Sequence, residues 1–199
     1  MYQTEQTCNS TKKDSNQDNK NLIAVAQDVK NGQHSHQNIA QWQPQFCGKM
    51  DLHIKANGQW WHEGQIIQRQ ALINLFSRVL WKENDTFYLK TPVEKLQIEV
   101  EDEPFFVNQI DQVLLNGKLY LQCQTTTQDV FLVDEQHPIF MRDFYGEMHP
   151  YVHVRFGMNA LIQRAAFYHL IDMGELFENE QQQTVFKIKS GDLDLQFIA

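Results

Sequence analysis

The chain has 199 residues, 42% of them hydrophobic, and a formal charge of −8 from 25 acidic and 17 basic side chains. That length suits one good core or two small subdomains. An acidic chain without a Lys/Arg cluster is a poor match for nucleic acid, whose binding depends on cations that displace counterions.

The longest early apolar run, Leu22 to Ala26, falls far short of the ~20 residues that span a bilayer. It is also too short for a signal-peptide core. The expectation is a cytoplasmic protein that engages neither membrane nor nucleic acid. Cys8, Cys47 and Cys123 are far apart and odd in number, which suits reduced thiols better than a disulfide framework. Cys123 alternates with Leu119 and Leu121 and reads as core.

Residues 1–38 form a polar tail, and its first 20 or so are read as disordered because they cannot bury enough surface to offset ordering entropy. A short helix is expected over 22–29. Met50, Leu52 and Ile54 alternate with polar residues as in a half-buried strand. Asn57–Gly58 then signals a hairpin, with 59–63 as the returning strand. Leu72, Leu75, Phe76, Val79 and Leu80 recur at helical spacing and predict a helix over 69–82, broken at Asn84–Asp85. Strands follow over 87–89 and 94–102. Asn116–Gly117 marks a second hairpin between 113–115 and 119–123, and 130–133 is another strand. Tyr151 to Phe156 alternates again. A second helix is expected over 159–173, with Ile162, Ala166, Phe167 and Leu170 on its apolar arc and Arg164, Tyr168 and Asp172 opposite. The last two strands fall at 185–188 and 193–198.

The fold class is therefore α+β. A small α+β unit over 39–103 (hairpin, helix, strand pair) precedes a β-rich unit with one helix over 104–199. Both predicted helices begin Ala-Leu-Ile, at Ala71 and Ala160, and both lead into paired strands. This suggests a duplicated strand–helix–strand–strand motif.

Several ordered blocks carry a resemblance. Gly58, Trp60, Glu63–Gly64, Ile67 and Arg69 lead into the first helix, and Thr91 to Lys95 and Val100 to Phe105 follow it. Later come Tyr151 to Arg155, Ala160 to Arg164, and Phe167–Tyr168. Together, over about 42–172, they resemble the bacterial family known as domain of unknown function 1285. The resemblance implies a cytoplasmic protein of Gram-negative bacteria, with a small α+β unit followed by a mostly β unit. It implies no catalytic residues.

Three groups of polar residues are candidates for a site. Glu94 and Asp102 share the inward parity of Leu96, Ile98 and Val100. They read either as acids at a pocket rim or as strand-end carboxylates capped by backbone N–H groups or Arg69. Eight residues apart on one strand they would stand ~26 Å apart, too far to act as an acid–base pair. Trp60, Trp61, His62 and Glu63 form the second group. A His beside a Glu suits proton transfer, but strand neighbours point to opposite faces. Packing of one Trp, and Glu63 ordering the turn or pairing with Arg69, is the competing reading. The third group is the polar row Tyr151, His153 and Arg155, with Arg142, His149 and Arg164 near in sequence. It offers the densest set of donors, suited to an anionic metabolite or phosphate. It can equally be a solvated face with Arg155 bridging to Asp172 or Glu175.

Metal ligation has no support. His34 and His36 lie in or near the tail, and Pro150 keeps His149 and His153 from sharing a helix face. No HExxH, CxxC, calcium-loop, phosphate-loop, GxSxG or dinucleotide motif occurs. The leading expectation is a non-enzymatic binding or regulatory module, possible in signalling, for a small anionic ligand or a protein partner, with no cofactor. One alternative is a hydrolase- or isomerase-type enzyme using His62 or His153 with a carboxylate. Another is a structural or assembly role. Oligomeric state is not legible.

Overall fold

A computed structural model of the protein describes residues 36–198. The disordered tail expected over the first 20 residues and the helix expected over 22–29 lie outside the described residues, as does His34. The chain divides into two compact units between Glu101 and Asp102.

The first unit starts with a 3-10 turn, His36–Gln41, and continues β1 (Gln45–Ile54), β2 (Trp60–His62), β3 (Gln65–Ile66), α1 (Gln70–Ser77), β4 (Leu80–Glu83), β5 (Thr86–Lys90) and β6 (Glu94–Val100). Its strands form one sheet in the order β3-β2-β1-β6-β5-β4. The first and last strands, β1 and β6, pair in parallel at the centre, and every other pairing is antiparallel. The Asn57–Gly58 hairpin is present and sets Ile54 opposite Trp60. Leu52, Ile54, Trp60, Phe76, Leu80 and Leu89 are fully buried, each stabilising by about 1.5–3 kcal/mol. The Trp60 and Phe76 rings stack with centroids 6.5 Å apart.

The helix is shorter than its apolar spacing suggests. It ends at Ser77, and Val79 and Leu80 belong to the strand side of the boundary, where the Lys90 N–H bonds the Val79 carbonyl at 2.8 Å. Two adjacent apolar residues satisfy a helical period and a strand start equally well. Asn84 and Asp85, at φ 47° and 64°, do not stop a helix but turn the β4–β5 hairpin in the left-handed region.

The second unit runs β7 (Phe105–Leu115), β8 (Lys118–Thr125), β9 (Val130–Leu132), β10 (Ile139–Phe144), β11 (Glu147–Arg155), β12 (Met158–Ile162), α2 (Arg164–Met173), β13 (Glu175–Glu178), β14 (Thr184–Ser190) and β15 (Leu193–Ile198). Its larger sheet has the order β9-β8-β7-β12-β11-β10, with β7 and β12 parallel at the centre. This is the arrangement of the first sheet repeated, strand for strand. A second repetition overlaps it, because each helix is followed by a three-stranded antiparallel meander, β4-β5-β6 after α1 and β13-β14-β15 after α2. The architecture is α+β and duplicated. The shared Ala-Leu-Ile tripeptides do not correspond, however. Ala71–Ile73 is helical, whereas Ala160–Ile162 is strand, pairing with Phe105–Val107. The predicted start of the second helix at 159 is thus corrected to Arg164, since Ala160 and Ile162 are buried at a period of two.

The two glycines with the clearest conformational demands differ in their surroundings. Gly64, at φ +71°, faces open space, whereas a Cβ on Gly191, at φ +58°, would lie 2.3 Å from the Tyr120 ring. Gly64→Ala is expected to cost about 1–2 kcal/mol from backbone strain alone. Gly191→Ala adds ring displacement, for about 2–4 kcal/mol. Denaturant melts of the two variants check this, and equal losses would contradict it.

Candidate functional site

The polar row of the second unit is not a solvated face. β11 lies between β10 and β12, and Tyr151 is fully buried. Asp102 and Glu103, whose side chains are 4% and 1% exposed, both bind Arg142, through Nη2 to Asp102 Oδ1 and through Nη1 to Glu103 Oε1 at 2.7 Å. Tyr151 Oη donates to Asp102 Oδ2 at 2.7 Å, and its ring lies under the guanidinium, 4.0 Å from Cζ. Asn159 donates to Glu103 from its backbone N–H at 3.0 Å and its side-chain amide at 2.8 Å. Every carboxylate oxygen is satisfied, as burial requires. Burial pushes the Asp102 carboxyl up from its ordinary value, against the pull of Tyr151 and Arg142. Burial likewise raises the Tyr151 phenol to about 12.

The remaining members of the row are held separately. Arg155 pairs with Asp129, not with Asp172 or Glu175, and covers the Phe105 ring. His153 meets Asn159 Oδ1 at 3.3 Å and stacks on His137, while His149 lies beside Arg142 and 3.8 Å from Glu147. Arg164 donates to the Tyr168 hydroxyl at 2.9 Å. An anion at Arg142 would have to compete with two carboxylates already bound to it.

In the first unit, Trp60 is core and His62 Nδ1 meets the Asp51 carbonyl at 2.8 Å. Glu63 is exposed at φ 48° in the turn before Gly64. Arg69 is exposed at the N-cap position of α1. Glu94 opens β6, and Asp102 lies beyond that strand's end, so the two do not bracket one strand. Among the described residues neither His62 nor His153 has a hydrogen bond or ion pair to a carboxylate. No described group of His, Cys, Asp and Glu could hold a metal. Cys123 is fully buried, with its thiol pushed up to about 12 by burial, so it is inert. No described helix is long and apolar enough to cross a membrane.

A different constellation lies on the polar face of the first sheet. Lys90 Nζ sits 3.9 Å over the Trp81 ring, and Lys95 Nζ sits 4.9 Å over Tyr88. Phe46, 55% exposed, meets Tyr88 edge-on. Glu83 accepts from Lys95 Nζ and Trp81 Nε1, both at 2.8 Å. Glu83 also feels the charge of Lys90, and its hydrogen bond from Lys95 is the main reason its carboxyl is held below the usual range. Lys90 is only 5% exposed, and burial pulls its ammonium below the ordinary lysine value. Further along this face His53 bridges Asp51 at 2.7 Å and Glu99 at 3.0 Å. It lines an open groove of about 320 Å³ with Lys55, Asp85, Thr86, Gln97 and Glu99. Both ring nitrogens of His53 can donate to these acids only when the imidazole is protonated.

The sequence conceals this face because residues 80–82 fit a helical period as well as a strand. Read as strands, Trp81 and Glu83, Tyr88 and Lys90, and Lys95, Gln97 and Glu99 share the outward parity of three successive strands.

Arg142→Met leaves two buried carboxylates uncompensated and is expected to cost about 3 kcal/mol at pH 7. The deficit should shrink as pH falls, as the raised Asp102 carboxyl takes up its proton. Because the folded Asp102 carboxyl is raised, its contribution is fully present below its ordinary value near 3.8 and is lost as pH rises through the raised value. Asp102→Asn removes that fall. Denaturant titrations from pH 4 to 7 measure both, and parallel pH profiles for wild type and Asp102→Asn would contradict the assignment.

Comparison with known proteins agrees with this architecture. Residues 37–103 match the family model described as "Domain of unknown function (DUF1285), N-terminal domain". Residues 104–195 match "Protein of unknown function (DUF1285), C-terminal domain". A crystal structure of a DUF1285 family protein from Silicibacter pomeroyi DSS-3 is 35% identical, with a TM-score of 0.76 over 89% of this chain and 94% of that one. A second, from Shewanella baltica OS155, is 22% identical with a TM-score of 0.50, over 62% of this chain and 91% of that one, and shares the fold. No curated protein matches. The chain belongs to the DUF1285 family.

Proposed function

We propose that the protein is a non-enzymatic binding module for a small anionic ligand, held on the polar face of the first sheet by Lys90 and Lys95. The observation that carries this reading is that Lys95 binds the Glu83 carboxylate while the Lys90 ammonium, in the field of the same carboxylate, lies buried over the Trp81 ring. The Lys90 ammonium is buried, and its close partner is the Trp81 π face, which offsets only part of the desolvation. An anion bridging the two lysines supplies the missing charge. The rings of Trp81, Tyr88 and Phe46 offer a floor for a flat or apolar body attached to it. A module of this kind acts by changing state with ligand level, which fits a regulatory role in cytoplasmic signalling.

Thermal denaturation against inorganic phosphate, sugar phosphates, nucleotides and dicarboxylic acids tests the reading. A ligand at 100 times its Kd stabilises by about 2.7 kcal/mol, a shift of roughly 5–10 °C for a domain of this size. The shift should vanish in Lys95→Gln and weaken with added salt. A flat panel, or an equal shift in Lys95→Gln, contradicts the assignment.

A further inference from the structure

The last meander ends on an edge that nothing described covers. β13 pairs only with β14, and all four of its residues are exposed, with Leu176 at 55% and Phe177 at 42%. The Asn179 N–H donates to the Gln183 carbonyl at 3.0 Å. In an antiparallel ladder alternate residues bond across the pair. Phe177 and Glu175 share the parity of Asn179, so the N–H and C=O groups of Leu176 and Glu178 face away from β14. Exposed edges are commonly blunted by Lys, Pro, a bulge, short length or charge; β13 has no Lys, Pro or bulge, and its short length and two Glu side chains narrow the choice of strand that can add to it. It offers free backbone groups, two apolar side chains and a Glu at each end.

We propose that β13 is a docking edge for an extended segment of a partner protein, one that adds as a further strand with apolar residues at its centre and Lys or Arg flanking them. Strand addition takes its affinity from main-chain hydrogen bonds and its choice of partner from the alternating side chains. Charge selects the occupant. Centred on Leu176, Phe177 or Glu178, antiparallel pairing of β13 with a second copy places a Glu opposite Phe177, Leu176 or another Glu. Two chains of formal charge −8 also repel. A segment of the form cation-apolar-apolar-cation meets Glu178, Phe177, Leu176 and Glu175 in turn, with Lys187 beside Glu175 on β14 the one local cation.

The test uses the full chain and a fluorescein-labelled peptide, Ser-Lys-Val-Val-Lys-Ser amide, followed by anisotropy. Saturable binding is expected. Leu176→Pro removes an outward N–H, leaves the β14 ladder intact, and should abolish binding without lowering the melting temperature. Glu178→Lys should weaken binding roughly fivefold or more and confer binding of the Ser-Glu-Val-Val-Glu-Ser peptide. Three results would overturn the proposal: no saturable binding, equal affinity in Leu176→Pro, or sedimentation showing self-association that Leu176→Pro blocks. The last would assign the edge to a second copy.

Discussion

The parallel pairing of β1 with β6 is the constraint on which the first unit depends. It closes a six-strand sheet between the first and last strands of the unit, so both flanking arms hang from it. Parallel central strands need cover on at least their core face, and Leu52, Ile54, Leu96 and Ile98 supply it, each nearly or fully buried. The same register puts Phe46 beside Lys95 and His53 beside Glu99. A slip of one residue would turn Lys95 and Glu99 inward and bring Leu96 and Ile98 to solvent. The packing of one face therefore fixes the chemistry of the other.

The second unit repeats this closure with β7 and β12 but uses its polar residues differently. Phe105, Val107, Ala160 and Ile162 are buried along the parallel pair. Asp102 and Glu103, just before β7, bind Arg142 from β10, Asn159 from β12 and Tyr151 from β11. The second sheet thus carries a buried charged network, and the first a lysine–aromatic face. A buried network with every oxygen satisfied ties strands together, whereas in the first sheet Lys95 binds Glu83 and Lys90 lies over the Trp81 ring.

Much of the fold was legible because its signals are local. Asn57–Gly58 and Asn116–Gly117 specify tight turns, and the alternation through Leu52, Leu121 and Val152 marks strands with buried residues. The misplaced helix boundaries share one cause. Val79–Leu80 and Ala160–Ile162 are short apolar runs that fit either period, and tertiary pairing assigned Leu80 and Ala160–Ile162 to strands. All four β13 residues are exposed, so no apolar alternation announces that strand. For the site, Arg142, Tyr151 and Asp102 were recognisable as notable residues. Their partnership joins positions about 40 and 49 apart and needs the sheet. The Lys90–Lys95–Glu83 face stayed hidden because residues 80–82 fit a helical period and because Lys90 and Glu83 lie at the ends of their strands, outside the expected elements.

Function then rests on whether Lys90 is a buried cation awaiting an anion. The direct measurement is its titration by NMR, following the labelled lysine Cε signal with and without inorganic phosphate and assigning it with Lys90→Met. Lys90 is expected to titrate below the ordinary lysine value and to move upward as phosphate binds. A Lys90 that titrates as a surface lysine and ignores phosphate would contradict it.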